Sequence, residues 1–65
     1  MTQKEIDSVK IGDALILKGL NPDFVPSGKM RLIVSKENGR LVAKAPGDYQ
    51  TYDVRAWSSG LEIEE

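Results

Sequence analysis

The tetrapeptide Glu37-Asn38-Gly39-Arg40 constrains the fold of this chain more than any other feature. Asn-Gly between two alternating apolar and polar runs is the strongest short hairpin signal, because a two-residue type I′ turn needs positive φ at both central positions. The turn fixes register as well as topology. With Glu37 opposite Arg40, Val34 faces Ala43 and Leu32 faces Ala45. Met30, Leu32, Val34, Leu41, Ala43 and Ala45 then share one face, which must be the core. Arg31, Ile33, Ser35, Val42 and Lys44 share the other. Two strands, Met30 to Lys36 and Arg40 to Ala45, follow.

The rest of the chain keeps the same rhythm. Short apolar runs are cut every ~10 residues by Gly, Pro, Asn or Asp, and no segment carries a long helical period. A first strand is expected from Ala14 to Lys18. It is led in by Val9-Lys10-Ile11-Gly12-Asp13, whose Gly-Asp turn sets the strand angle and whose Asp13 carboxylate suits backbone N–H donors. Gly19 to Gly28 holds two prolines and two glycines, which forbid a regular element and make a long loop. Phe24 and Val25 in that loop must either cover the core or stand exposed. After the turn Pro46-Gly47-Asp48, a fourth strand is expected from Gln50 to Ala56, with Tyr52 and Val54 inward and Thr51, Asp53 and Arg55 outward. Ala56 to Gly60 reads as one 3₁₀ turn. Leu61 to Glu64 reads as a short fifth strand with Leu61 and Ile63 inward. Ahead of all this, Met1 to Lys10 is polar except for Ile6 and Val9. It is either a helical turn capped by Thr2 or Asp7, or a flexible arm over residues 1–8.

This order predicts one all-β domain over residues 1–65, a small five-stranded SH3-like barrel with a long loop after strand 1 and a 3₁₀ turn before strand 5. Sixty-five residues suffice for one small core. Closing the barrel also removes edges that would threaten so small a sheet.

Composition narrows the chemistry. The chain has no cysteine and no histidine. It therefore lacks disulfides, thiolate metal sites and the commonest general base and metal ligand. Nine Lys and Arg stand against ten Asp and Glu, so bulk charge favours neither nucleic acid nor membrane. No apolar run approaches the ~20 residues that span a bilayer, and Met1 to Glu5 lacks the apolar stretch of a secretory signal. A cytoplasmic protein without metal or cofactor is expected. The six glycines form no phosphate-binding loop. Ser58 and Ser59 have no histidine to activate them. Glu62, Glu64 and Glu65, like Glu5 and Asp7, are paired acids without a pocket to shift a pKa, and the terminal run reads as a frayed, solvated tail.

The most informative polar feature is a basic stripe. Lys29, Arg31, Lys36, Arg40 and Lys44 are interrupted only by the acid Glu37. The register places Arg31, Lys44 and Arg55 on one outer face, with Asp53 among them. Such a face either keeps a small barrel soluble or holds a partner. Phe24, Tyr49 and Trp57 are the candidate aromatic anchors. Tyr49, just after a turn, is expected to be exposed, Tyr52 to be core, and Trp57 to plug one end of the barrel.

Three resemblances rest on particular residues. Ile11-Gly12-Asp13-Ala14-Leu15-Ile16-Leu17-Lys18, then Ser27-Gly28-Lys29-Met30, then Gly60-Leu61-Glu62 resemble the YodC-like family of short bacterial proteins, which implies an SH3-like barrel. The chain departs from that pattern in a longer loop before Gly28 and in Val42-Ala43-Lys44-Ala45, where the family carries aromatics. The Gly12-Asp13 opening is similar to ribosome- and polymerase-associated KOW modules. Tyr49-Gln50-Thr51-Tyr52 loosely resembles a segment of the plasmid-borne dihydrofolate reductases, which implies an enzyme built as a tetramer.

The expected function is a non-catalytic interaction module of bacterial or phage origin that binds a protein. It would use the outer face of strands 2–4 and the long loop, through Arg31, Lys44, Tyr49, Arg55 and Trp57. The alternative is a nucleic-acid binder holding phosphates with Arg31, Arg40, Lys44 and Arg55. The remote alternative is the oligomeric reductase. A monomer or weak homo-oligomer is expected.

Overall fold

The computed structural model describes residues 1–64. In chain order these form α1 (Gln3–Ser8), β1 (Ala14–Leu17), β2 (Met30–Glu37), β3 (Arg40–Lys44), β4 (Tyr52–Asp53), a 3₁₀ turn (Ser58–Gly60) and β5 (Leu61–Ile63). The five strands make one antiparallel sheet in the order β4-β3-β2-β1-β5, curled into a half-barrel. The long loop follows β1 and the 3₁₀ turn precedes β5, so the small all-β barrel expected from the sequence is the fold observed.

The hairpin sits where its turn chemistry demands. Asn38 and Gly39 have φ of 51° and 78°, both in the left-handed region that a type I′ turn requires. Glu37 pairs with Arg40 and Val34 with Ala43, the register read from the sequence. Leu32, Val34 and Ala43 are accordingly buried, with Met30, Leu41 and Ala45 packed partly exposed around them.

A second backbone device sets the angle of β1. The Asp13 N–H donates to the Lys10 carbonyl at 3.1 Å, closing a turn whose third residue, Gly12, has φ +94°. Gly12 and Asp13 together oppose the single residue Val34. The Gly12 N–H donates to the Val34 carbonyl, and the Val34 N–H donates to the Asp13 carbonyl, each at 2.9 Å. This is a glycine bulge, which bends and twists the strand that contains it. The Asp13 carboxylate accepts the Lys10 N–H at 2.9 Å and holds the turn shut.

Of the two readings of the N-terminal segment, the structure takes the helical one. Thr2 and Glu5 form a capping box: the Thr2 hydroxyl accepts the Glu5 N–H at 3.2 Å, and Glu5 Oε1 accepts the Thr2 N–H at 2.9 Å. A helix of six residues is too short to persist in isolation. It is held because Ile6, and Val9 just beyond it, are buried in the core beside Leu15, Leu17, Leu32, Val34, Val54 and Leu61.

Three expectations about side chains and strand ends are corrected. The fourth strand does not run from Gln50 to Ala56; its ladder is only Tyr52–Asp53. Asp53 ends it, because its Oδ1 accepts the N–H groups of Arg55 (2.9 Å) and Ala56 (3.2 Å) while its carbonyl accepts that of Trp57 (2.9 Å). An aspartate that bonds its own backbone two residues on turns the chain out of the sheet. Val42, on the outer face as expected, is nevertheless only 7% exposed. It lies between Ser35 and Asp53, both half-buried, and loses solvent without joining the core. Ile63 shares the inner face with its partner Leu15 but is 42% exposed, since β5 is an edge strand and ends there.

The register also says which loops meet. β1 ends, β2 begins and β3 ends at one end of the sheet, and β5 begins there against Leu17. The loops 18–29 and 45–51 and the 3₁₀ turn therefore share that end. The Asn38-Gly39 turn lies at the opposite end, which β4 approaches as it finishes. Residues 54–60 carry the chain back between the two ends, from β4 to β5. No helix among the described residues is long and apolar enough to cross a membrane.

Candidate binding surfaces

The residues expected to form one surface are spread over three places. Arg31 and Lys44 do lie on the outer face, on the adjacent strands β2 and β3, with Lys44 opposite Ile33. Arg55 does not join them. The Asp53 turn removes it from the sheet, and it lines a cavity of about 480 Å³ near the hairpin turn together with Arg40, Leu41 and Val54. Tyr49 stands in the loop 45–51 and is 99% exposed. Trp57 lies on the crossing segment 54–60.

Trp57 is not a barrel plug. Leucines 15, 17, 32 and 61 with valines 34 and 54 already fill the interior. The indole instead meets Tyr52 edge-on, with ring centroids 5.2 Å apart and planes at 89°, and stays 47% exposed. Tyr52 itself is buried, as expected.

The two flanking loops present aromatics rather than bury them. Phe24 is 84% exposed at the tip of the long loop. That loop is pinched at its base by the Leu20 N–H donating to the Gly28 carbonyl at 3.0 Å. Inside it, the Asn21 side chain accepts the Asp23 N–H at 2.9 Å and the Asn21 carbonyl accepts those of Phe24 and Val25. Leu20 packs on the core while Phe24 projects away from it. Phe24 and Tyr49 thus belong to loops at the same end of the half-barrel.

The acidic C-terminal run corrects the picture of a basic face. It is not a loose tail through Glu64. In β5, Glu62 stands next to Ile16, which stands next to Arg31 on the far side. Arg31 Nε donates to Glu64 Oε2 at 2.6 Å, and the Lys18 ammonium bonds Glu62. The Lys18 contact holds the Glu62 carboxyl below the usual carboxylate range. The third acid of the run, Glu65, lies outside the described residues. The cavity of about 890 Å³ beside β1 and β5 is lined by Lys18, Lys29 and Arg31 against Glu5, Glu62 and Glu64, three charged side chains of each sign, with Met1 beside them. Alternation of Leu61-Glu62-Ile63-Glu64 was the sequence signal for this, because it puts both acids on the outer face beside Arg31.

Ile11, 64% exposed in the bulge turn, has no counterpart among the residues singled out from the sequence. Among the described residues no group of three or more His, Cys, Asp or Glu is placed to hold a metal, and every buried side-chain polar atom has a hydrogen-bond partner. Comparison with known protein families, curated proteins and solved structures finds no match.

Proposed function

We propose that the chain is a cytoplasmic, non-catalytic module that binds another protein, and that the loop end of the half-barrel carries the contact. The observation behind this is the presence of two strongly exposed aromatics, Phe24 and Tyr49, on loops at the same end of the half-barrel. Exposed aromatics are enriched at the energetic centres of protein interfaces, where they bring large area at small entropic cost. Loops held by a rigid frame are the usual carriers of recognition. Arg31 and Lys44 extend the contact over the outer face, while Trp57 and Arg55, both on the crossing segment, lie apart from it.

Phosphate binding has less support from the same surface, since Glu64 and Glu62 engage Arg31 and Lys18 on it. The deciding experiment is selection of peptides from a displayed random library on the wild-type domain, with the double variant F24S/Y49S as counter-target. Peptides that lose binding to that variant, and that shift the amide resonances of loops 18–29 and 45–51, are the expected result. If selection yields none, and short oligonucleotides instead give salt-sensitive shifts at Arg31, Arg40, Lys44 and Arg55, the module is a nucleic-acid binder. A tetramer in sedimentation with no loop-directed peptide would favour the oligomeric reductase.

A further inference from the structure

The cavity near the hairpin turn has the chemistry of a carboxylate site. Two arginines, Arg40 and Arg55, line it, and the one acid in its wall is Asp53. Two positive charges against one negative leave it positive. Asp53 Oδ1 is also directed into its own turn, where it accepts the N–H groups of Arg55 and Ala56. Neither arginine takes part in an ion pair among the described residues, and both are exposed. Arg40 has Glu37 as its cross-strand neighbour without forming one.

The rest of the wall is apolar. Leu41 is half-buried, Ala56 is exposed, and the buried Val54 and Ile6 lie beneath them. At about 480 Å³ the cavity falls within the size range of small-ligand sites. Its position follows from the backbone. The Val54 N–H donates to the Leu41 carbonyl at 3.2 Å, which draws the start of the crossing segment against β3. The Asp53 turn then places Arg55 within the same cavity as Arg40.

We infer that this cavity binds the C-terminal carboxylate of a partner polypeptide whose last residue is apolar. A planar guanidinium fork matches a carboxylate in a bidentate arrangement. The apolar wall takes the side chain beside it. A phosphodiester is flanked by sugars and bases rather than by an aliphatic side chain, and a wall of Ile6, Leu41, Val54 and Ala56 with no aromatic ring for a base to stack on therefore favours the peptide end. This inference rests on the protein-binding reading for the source of the carboxylate, but it concerns the opposite end of the sheet from Phe24 and Tyr49.

The test is an NMR titration of the ¹⁵N- and ¹³C-labelled domain with N-acetyl-leucine, which carries a peptide bond, an apolar side chain and a free carboxylate. N-acetyl-leucinamide serves as the neutral control and a dinucleotide as the phosphodiester control. Saturable shifts at Leu41, Val54, Ala56 and the side-chain Nε of Arg40 and Arg55 are expected with the acid alone. R40Q and R55Q should each weaken binding by about tenfold or more, the usual effect of removing a charged hydrogen-bond donor, while K10Q, at an exposed lysine outside the cavity wall, leaves it unchanged. Both arginines are exposed, and the spectra themselves show whether each variant is folded. Equal response to acid and amide, a stronger response to the dinucleotide, or no shift at tens of millimolar acid would each overturn the assignment. None of these outcomes touches the loop-end reading, which stands or falls on the F24S/Y49S selection.

Discussion

Arg31 on β2 reaches across β1 to bond Glu64, its Nε lying 2.6 Å from the carboxylate. Both side chains keep solvent contact, at 58% and 33% of their area. Exposed pairs of this kind contribute roughly 0–1 kcal/mol. E64Q should therefore lower stability by less than about 1 kcal/mol in urea denaturation. The charge effect is larger in kind. Neutralising both Glu62 and Glu64 moves the formal net charge from −1 to +1, since two negatives are removed. The double variant E62Q/E64Q should elute later from a cation-exchange column and, at low salt, bind oligonucleotides more tightly than the wild type. Oligonucleotide affinity equal to that of the wild type would mean that Glu62 and Glu64 do not withhold Lys18 and Arg31 from a ligand.

The Asn38-Gly39 turn is the most sensitive exposed position. Gly39 has φ +78° and no atom within 4 Å of where a Cβ would stand, so a substitution there meets strain rather than a clash. G39V should cost ~1–3 kcal/mol, which lowers the melting temperature of a domain this size by about 4–8 °C per kcal/mol. G39A should cost less, because it lacks β-branching. Equal melting of G39V and wild type would contradict the type I′ turn.

Tyr52 and Trp57 should couple. W57A removes a half-exposed ring, whereas Y52A opens the core and should cost ~3–5 kcal/mol. A double-mutant cycle should return a coupling of ~0.5–1.5 kcal/mol for the edge-to-face contact. A coupling of zero would show that the two rings do not meet in solution.

The capping box of α1 should be visible in a pH titration. The Thr2 backbone N–H, with its hydroxyl second, holds the Glu5 carboxyl below the usual carboxylate range. A depressed folded-state pKa stabilises the fold above the unfolded value, ~4.3 for glutamate, and that contribution is lost as pH falls through the folded value. Glu62, depressed by Lys18, behaves likewise. Side-chain carbonyl shifts of Glu5 and Glu62 should thus titrate below the ordinary glutamate value. T2A should cost ~1 kcal/mol and bring the Glu5 midpoint closer to the ordinary value.

The lattice of the sheet was legible in the sequence because its signals are local. Asn38-Gly39 fixes one register, and the alternation around it assigns Leu32, Val34 and Ala43 to the core. Gly12-Asp13 marks the lead into β1. Tyr49 and Tyr52 fall on the expected sides of the surface. What escaped is set by competition among neighbours. Asp53 is both a strand residue by alternation and a turn former by its side chain, and the turn won; this moved Arg55 out of the stripe and into the cavity with Arg40. Trp57 yielded the interior to leucines that pack there without a polar atom to satisfy. The helix of residues 3–8 depends on Ile6 and Val9 finding a core built mostly by strands, a long-range fact that six polar-rich residues do not announce.

The terminal amine of Met1 donates to the carbonyls of Ser58 and Leu61. The beginning of this sequence and its β5 strand are thus neighbours, although nearly the whole chain separates them. The N-terminal segment is therefore a clasp on the edge strand as well as a cover for the core: the amine caps two carbonyls at the entry to β5, while Ile6 is buried among the strands.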